Sequence, residues 1–64
     1  MTNYSKYENN EFVDCSSREF KTSKDKYCYS HNTRNLYFGQ KYINTYDNIS
    51  LKELAKIVKL LIFL

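Results

Sequence analysis

The sequence contains no proline, no tryptophan and only one glycine. Without a proline-, glycine- or serine-rich run it has no flexible linker of the usual kind, and it contains no internal repeat. A single glycine also excludes a glycine-rich phosphate-binding loop. At 64 residues the chain forms at most one domain, and such a chain buries only roughly 60% of the surface that its unfolded form exposes. A stable fold therefore needs dense apolar packing, a metal or disulfides.

Large aliphatic and phenylalanine side chains are scarce before residue 49. Residues 1–48 contain six of them: Phe12, Val13, Phe20, Leu36, Phe38 and Ile43. This fraction lies below the roughly 20% at which disorder is expected. All seven tyrosines fall in the same region, which is not typical of an ordinary solvated tail. We therefore predict that residues 1–48 are a polar, tyrosine-rich recognition region that is largely disordered, or an extended segment that folds on binding.

Residues 49–64 differ in composition, since 11 of these 16 residues are apolar. Ser50 and Glu53 have the spacing of a capping box, and Ile49 and Leu54 occupy the two positions of a hydrophobic staple. This pattern predicts an amphipathic α-helix from about Leu51 onward, with three lysines opposite its apolar stripe. A helix of this length rises about 22 Å, which is short of a hydrocarbon core of roughly 30 Å.

The centre of the chain has the alternation of a strand between residues 26 and 31, followed by a turn at residues 32–35. Residues 36–38 and 41–46 flank Gly39-Gln40 and are predicted to form a hairpin, and residues 11–14 are predicted to be extended. Two or three strands with one helix, a small α+β unit, is the most that we expect this chain to build.

The basic amphipathic helix has three interpretations. It packs onto the N-terminal part of the chain, lies on an anionic membrane surface, or pairs with another helix. Packing onto the rest of the chain is the simplest of these, because the rest of the chain is short of apolar residues. A membrane-surface or helix-pairing peptide is the alternative function that this segment supports.

Cysteine and histidine are too few to indicate chemistry. Cys15, Cys28 and His31 include a C-x2-H spacing, but a structural zinc site needs a fourth ligand, which only Asp14 or Asp25 would supply. Two free thiols are the simpler interpretation. A nucleophilic cysteine would need the lone histidine beside it in a water-excluding pocket, for which the region lacks apolar residues. We predict no enzyme activity, no cofactor and no small-molecule substrate.

The net charge of +3 is small, and basic residues alternate with acidic ones. A nucleic-acid-binding stripe is therefore not expected. The first residues lack the apolar core of a signal peptide, so the cysteines are expected in a reducing compartment.

The densest run of recognition side chains is Thr22 to His31, in which Tyr27, Tyr29 and His31 alternate onto one face. Extended segments of this kind bind by adding a strand to the edge of a partner's sheet, with alternate side chains entering pockets. We predict that residues 11–31 form the binding segment. Its predicted contact residues are Phe12, Val13, Phe20, Thr22, Ser23, Tyr27, Cys28, Tyr29 and His31.

This run resembles the STAT-docking tyrosine motif of the interferon-gamma receptor tail, in which Thr-Ser precedes a tyrosine that is followed four positions later by histidine. It is also similar to the Tyr-Asp-His element of henipavirus phosphoproteins. Here Thr22-Ser23 precede Tyr27, His31 lies at plus four, and Tyr29-Ser30-His31 parallels Tyr-Asp-His. The chain is also rich in Asn, Lys and Tyr, the residues of AT-rich codons, and so resembles the short poxvirus proteins that antagonise interferon signalling.

The resemblance implies a viral inhibitor in the host cytoplasm that occupies the Src-homology-2 domain of a host STAT protein and blocks its docking to the receptor. Tyr27 would take the place of the receptor's phosphotyrosine, and His31 would fill the specificity position. Because Tyr27 without a phosphate lacks charge-assisted bonds to the domain's arginine, further contacts would have to supply affinity. Phe12, Val13 and Phe20 are the apolar anchors expected to do so.

Overall fold

The computed structural model describes residues 3–64, which form a five-stranded antiparallel sheet and two helices. The elements in chain order are β1 (Tyr4–Glu8), β2 (Glu11–Cys15), α1 (Ser17–Thr22), β3 (Tyr27–Ser30), β4 (Asn35–Phe38), β5 (Lys41–Thr45) and α2 (Leu51–Ile62). The strands lie in the order β2-β1-β3-β4-β5. The protein is therefore a small α+β unit with more strands than the alternation predicted.

Tight turns join β1 to β2 and β4 to β5. Asn9 and Asn10 both have positive φ between β1 and β2, as the turns that match the twist of a two-residue hairpin require. Gly39, at φ 63°, lies between β4 and β5, where glycine adopts a left-handed conformation without steric cost. The predicted hairpin around Gly39-Gln40 is confirmed, as are the extended segment at residues 11–14 and the strand within residues 26–31.

The α2 helix covers one face of the sheet and forms the apolar core with it. Leu36, Leu54 and Val58 are completely buried, and Tyr29 is 3% exposed. Partly buried side chains surround this cluster: Tyr7, Phe12, Tyr27, Ile43, Tyr46, Leu51 and Leu61. Two of the four central side chains come from residues 1–48 and two from α2, so the core requires both parts of the chain.

The prediction that residues 1–48 are largely disordered or fold on binding is wrong. It rested on the scarcity of Leu, Ile, Val and Phe, but tyrosine supplies much of the missing apolar surface, since an aromatic ring buries about 150–250 Å². Tyr29 is a central core residue, and Tyr7, Tyr27 and Tyr46 pack around it. The α2 side chains then complete a core that neither part would form alone.

The opposite face of the sheet carries α1, which the sequence analysis did not predict. Its Phe20 ring stacks on Tyr4 with centroids 4.3 Å apart and meets Tyr37 edge-on at 5.3 Å. Lys6 Nζ also donates to Glu19 Oε2 at 2.7 Å. These contacts hold a six-residue helix that buries none of its own residues.

The helix predicted at the C-terminal end is confirmed. Ser50 Oγ accepts a hydrogen bond from the backbone N–H of Glu53 at 3.2 Å, as the N-cap signal predicted. Leu54, Ala55 and Val58 face the sheet and are buried. Within residues 3–64, neither helix has the length and apolar character needed to cross a membrane.

Candidate functional site

The predicted recognition run lies in the middle of the sheet. β3 pairs with β1 through Tyr29 and Ser5, among others, and with β4 through Tyr29 and Leu36. Both edges of β3 therefore already have hydrogen-bonded neighbours. Adding this strand to a partner's sheet would first require its release from β1 and β4, with loss of the core built on Tyr29.

Tyr27, Tyr29 and His31 lie on the same face of the sheet, as their alternation predicted, but α2 covers that face. The Tyr29 hydroxyl donates to the Tyr46 carbonyl at 2.6 Å. His31 Nε2 hydrogen-bonds with Ser5 Oγ at 2.8 Å, and the His31 ring meets the Tyr29 ring edge-on at 5.2 Å. Tyr27 packs against the core and the Phe38 ring, at 4.8 Å between centroids. These side chains already have partners within the fold.

The other predicted contact residues are divided between the two faces. Phe12 packs against the core under α2. Val13 and Cys28 both pair with Lys6 in register and so share the opposite face, where Cys28 is 1% exposed. Phe20, Thr22 and Ser23 lie in α1 or directly after it. The structure does not bring the nine predicted residues onto one surface, and receptor mimicry remains a prediction.

The three residues considered for zinc are also separated. Cys28 and His31 are three positions apart along an extended segment, and an odd separation of this kind places side chains on opposite faces of a sheet. Cys15 and Cys28 are free thiols. In the part of the chain that the structure describes, no three side chains are grouped so as to hold a metal ion.

An open groove lies between α2 and the β1–β2 hairpin, with a volume of about 470 Å³. Phe12, Leu51 and Ala55 provide apolar surface in it. The remaining lining residues are polar or charged: Asn10, Glu11, Lys52, Lys56 and Lys59. We call this feature the basic groove. Its volume is within the range of about 300–1,000 Å³ that is typical of binding clefts.

Three lysines along one side dominate the charge of the basic groove. Lys52, Lys56 and Lys59 follow one another at spacings of four and three residues, so they form one row along α2. All three are exposed. Within residues 3–64 no ion pair involves them, and Glu11 is the acidic residue of the lining. The row therefore presents positive charge beside an apolar surface.

The end of α2 continues the row with exposed apolar side chains. Leu60 is 67% exposed, Ile62 51%, Phe63 77% and Leu64 100%. Phe63 follows Lys59 by four residues and so lies about one turn beyond it. We call these four residues the apolar end. In the sequence, residues 60–64 form a run that is apolar on every side of a helix. Such a run predicts that these side chains are buried, but it does not indicate what covers them.

The outer strand β5 is less suited to bind a partner strand. Asn44 Oδ1 accepts from the Thr45 backbone N–H at 2.8 Å, and Thr45 Oγ1 donates to Asn35 Oδ1 at 2.7 Å. The pairing with β4 also contains an irregularity next to Leu36. Bulges and occupied backbone groups of this kind protect sheet edges from pairing. The exposed features of α2 are better candidates for binding than this edge.

Comparisons of the chain with protein-family models, with curated proteins and with solved structures return no match. The features that carry a functional proposal are the basic groove and the apolar end of α2.

Proposed function

We propose that the protein is a non-enzymatic binding protein that holds an acidic amphipathic helix of a protein partner in the basic groove. The observation that carries the proposal is the row of Lys52, Lys56 and Lys59 beside the apolar surface of Phe12 and Leu51. An amphipathic helix that binds in a groove buries its apolar face, and the charged residues beside that face contact the rim of the groove. A partner with acidic residues on that flank is complementary to this groove.

The spacing of the lysines matches the period of a helix. Lys52 and Lys59 are seven residues apart, which corresponds to about 10 Å at roughly 1.5 Å per residue. Acidic side chains separated by four and three residues on a partner helix cover the same distance. If the two helices lie side by side, three lysines of α2 and three acidic residues of the partner form three pairs of opposite charge without any change in α2.

The apolar end extends the same contact surface. Phe63 lies beyond Lys59 along α2, and Leu60 and Phe63 are both more than half exposed. Exposed apolar side chains next to a charged rim are typical of interaction sites. An apolar residue of the partner helix, one turn beyond its acidic residues, would pack against this end and exclude water from it.

A protein helix accounts for more of the geometry than a membrane surface does. The apolar end and the lysines alone would also suit an anionic bilayer. The groove, however, is a recess between α2 and Phe12, and a rod-shaped ligand fills a recess that a broad lipid surface leaves open.

Binding of a synthetic peptide tests the proposal. The peptide has an apolar stripe and glutamates at spacings of four and three residues, and its fluorescence anisotropy is measured as the protein is added. We expect saturable binding that weakens as salt is raised. Lys56→Glu should raise Kd about tenfold, because like charges at an interface cost on the order of 1 kcal/mol or more.

Lys41→Glu is the matched control, since it makes the same charge change at an exposed residue of β5 outside the groove. It should leave Kd within about twofold. Equal losses for both variants would show that only net charge matters. Binding to anionic phospholipid vesicles, with no binding to the peptide, would replace the protein helix by a membrane as the ligand.

A further inference from the structure

A second cavity, of about 240 Å³, lies against the face of the sheet that carries α1. Both cysteines of the chain line it, together with three lysines and a glutamate. The full lining is Lys6, Cys15, Glu19, Thr22, Ser23, Lys24, Lys26 and Cys28. We call this cavity the thiol cleft. The basic groove shares none of these residues.

The two thiols of the cleft are not placed to form a disulfide with each other. Cys15 is in β2 and Cys28 in β3, and β1 lies between these strands. Two strand spacings amount to about 9.6 Å, whereas the Cα atoms of a disulfide are less than about 7 Å apart. Each thiol therefore remains a single group, and Cys28 Sγ donates a hydrogen bond to Ser23 Oγ at 3.6 Å.

The two cysteines differ in their charged neighbours. Burial is the largest cause that raises the pKa of Cys15, to about 11, and the nearby Cys28 and Glu19 raise it further. Cys15 therefore stays a protonated, unreactive thiol at neutral pH. Cys28 pairs in register with Lys6 and follows Lys26 by two residues. Lys6 is itself paired with Glu8 and Glu19, so an anionic reagent approaching Cys28 meets Lys26 as the main cation.

The helix beside the cleft is short, and it is held by the ring contacts of Phe20 and by Gln40, which donates hydrogen bonds to the carbonyls of Phe20 and Ser23. α1 has six residues and buries none of them, and its ion pair between Lys6 and Glu19 is exposed at the glutamate end. Short elements with little buried surface open locally at much lower cost than the core. Cys28 is 1% exposed, so its reaction requires local movement, and Thr22 and Ser23 at the end of α1 line the same cavity.

We propose that the thiol cleft is a site of thiol–disulfide exchange, at which Cys28 reacts with a small anionic disulfide. Lys24 and Lys26 line the cavity and form no ion pair within residues 3–64, so they attract an anion. The Cys28 thiolate attacks one sulfur of the ligand, forming a mixed disulfide and breaking the ligand's own sulfur–sulfur bond. The other half leaves as a thiolate, and the proton that Cys28 lost passes to water. No further oxidant is needed.

Single-cysteine variants of the full chain test this site. Cys15→Ser leaves Cys28, and Cys28→Ser leaves Cys15; each is mixed with dithiobis(nitrobenzoate), an anionic disulfide, and the released thiolate is followed by absorbance. We expect Cys28 to react about tenfold faster than Cys15, because Lys24 and Lys26 in the lining attract the anionic reagent to Cys28, while burial raises the pKa of the Cys15 thiol. Equal rates for the two cysteines would overturn the assignment of Cys28.

A charge variant separates attraction of the anion from simple access. In the Cys15→Ser background, Lys26→Gln should lower the rate with the anionic reagent about threefold and leave the rate with neutral dithiodipyridine unchanged. Lys21→Gln, on α1 but outside the lining, is the control and should change neither rate. Equal effects of Lys26→Gln on both reagents would overturn the anionic preference.

The route of access is measured by amide exchange of β3. If Cys28 reacts faster than the β3 amides open under the same conditions, α1 has moved while the sheet stayed intact, as proposed. If the two rates coincide, the thiol is reached only by unfolding of the sheet, and the thiol cleft is not a site.

Discussion

In residues 51–64, which are α2 and the two residues after it, Leu54 and Val58 are fully buried, whereas Leu60 and Phe63 are 67% and 77% exposed. Residues 51–58, the first half of this segment, and residues 59–64, the second half, are both rich in apolar residues, so composition does not distinguish them. The first half meets the sheet through Leu36 and Tyr29. The second half has Leu61 against the core and leaves its other large side chains uncovered. Large apolar side chains that the fold leaves exposed are therefore a stronger indication of a binding surface than apolar composition alone.

The largest expected difference between the two halves is in how much their side chains contribute to the stability of the fold. Leu54→Ala should lower the free energy of unfolding by about 2–5 kcal/mol, because it leaves a cavity at a fully buried position. Since a small domain has only about 5–15 kcal/mol in total, this loss is a large fraction of its stability. Urea denaturation measures the change. Leu60→Ala is the matched control and should cost less than about 0.5 kcal/mol; comparable losses would mean that the two halves do not differ.

Cys15, which lies on the face of the sheet opposite α2, gives a second test of how burial affects stability. The pKa of Cys15 is raised by burial from 9.0 to about 11. A thiol whose folded-state pKa is higher than its unfolded value contributes stability that is complete below the unfolded pKa and is lost as pH rises to the folded one. Unfolding experiments should therefore show stability falling from pH 9 towards 11.

Cys15→Ser should remove part of that decline. The pKa of Tyr29 is also raised by burial, so Tyr29→Phe should remove another part. A decline of the same size in both variants would show that neither group causes it. Leu60→Ala should leave the pH dependence as it is, because Leu60 is exposed and does not titrate.

The start of α2 should contribute less than its buried side chains. Ser50→Ala removes the acceptor of the Glu53 backbone N–H and should cost about 1 kcal/mol, as measured by urea denaturation. Ser16→Ala makes the same change at α1, where Ser16 Oγ accepts from the Glu19 N–H at 3.1 Å. Because α1 buries no residue, its loss should affect global stability less. A larger loss for Ser16→Ala would contradict this order.

Sequence reasoning succeeded where the signal was local. The Ser50–Glu53 cap, the Gly39 turn and the alternation of β3 are all short patterns, and each is found in the structure. The same cap spacing at Ser16 and Glu19 was overlooked, although it begins α1. The error about disorder had a different cause. Counting aliphatic residues ignores tyrosine, and whether Tyr29 is buried depends on α2, far along the chain.

The sites could not be predicted in the same way because they join distant residues. The basic groove combines residues 10–12 with residues 51–59, and the thiol cleft combines Lys6 with residues 15–28. No short motif encodes either of them. The run from Thr22 to His31 did form a short motif, but its strand became the centre of the sheet, since β1 and β4 pair with it from both sides.

The smallest effect on stability should come from the apolar end, where the largest effect on binding is expected. Replacing Leu60 and Phe63 by serine should change the free energy of unfolding by less than about 0.5 kcal/mol, because both side chains are already exposed. If the partner helix covers this end, the same double variant should weaken binding of the acidic peptide about thirtyfold, since buried apolar anchors commonly contribute about 2 kcal/mol or more. Tyr42→Ser is the control, because Tyr42 is 51% exposed on β5 and lies outside the basic groove. An unchanged Kd in the double variant would confine binding to the lysine row. A loss of stability as large as that of Leu54→Ala would instead make the apolar end part of the core and remove the distinction between the two halves of residues 51–64.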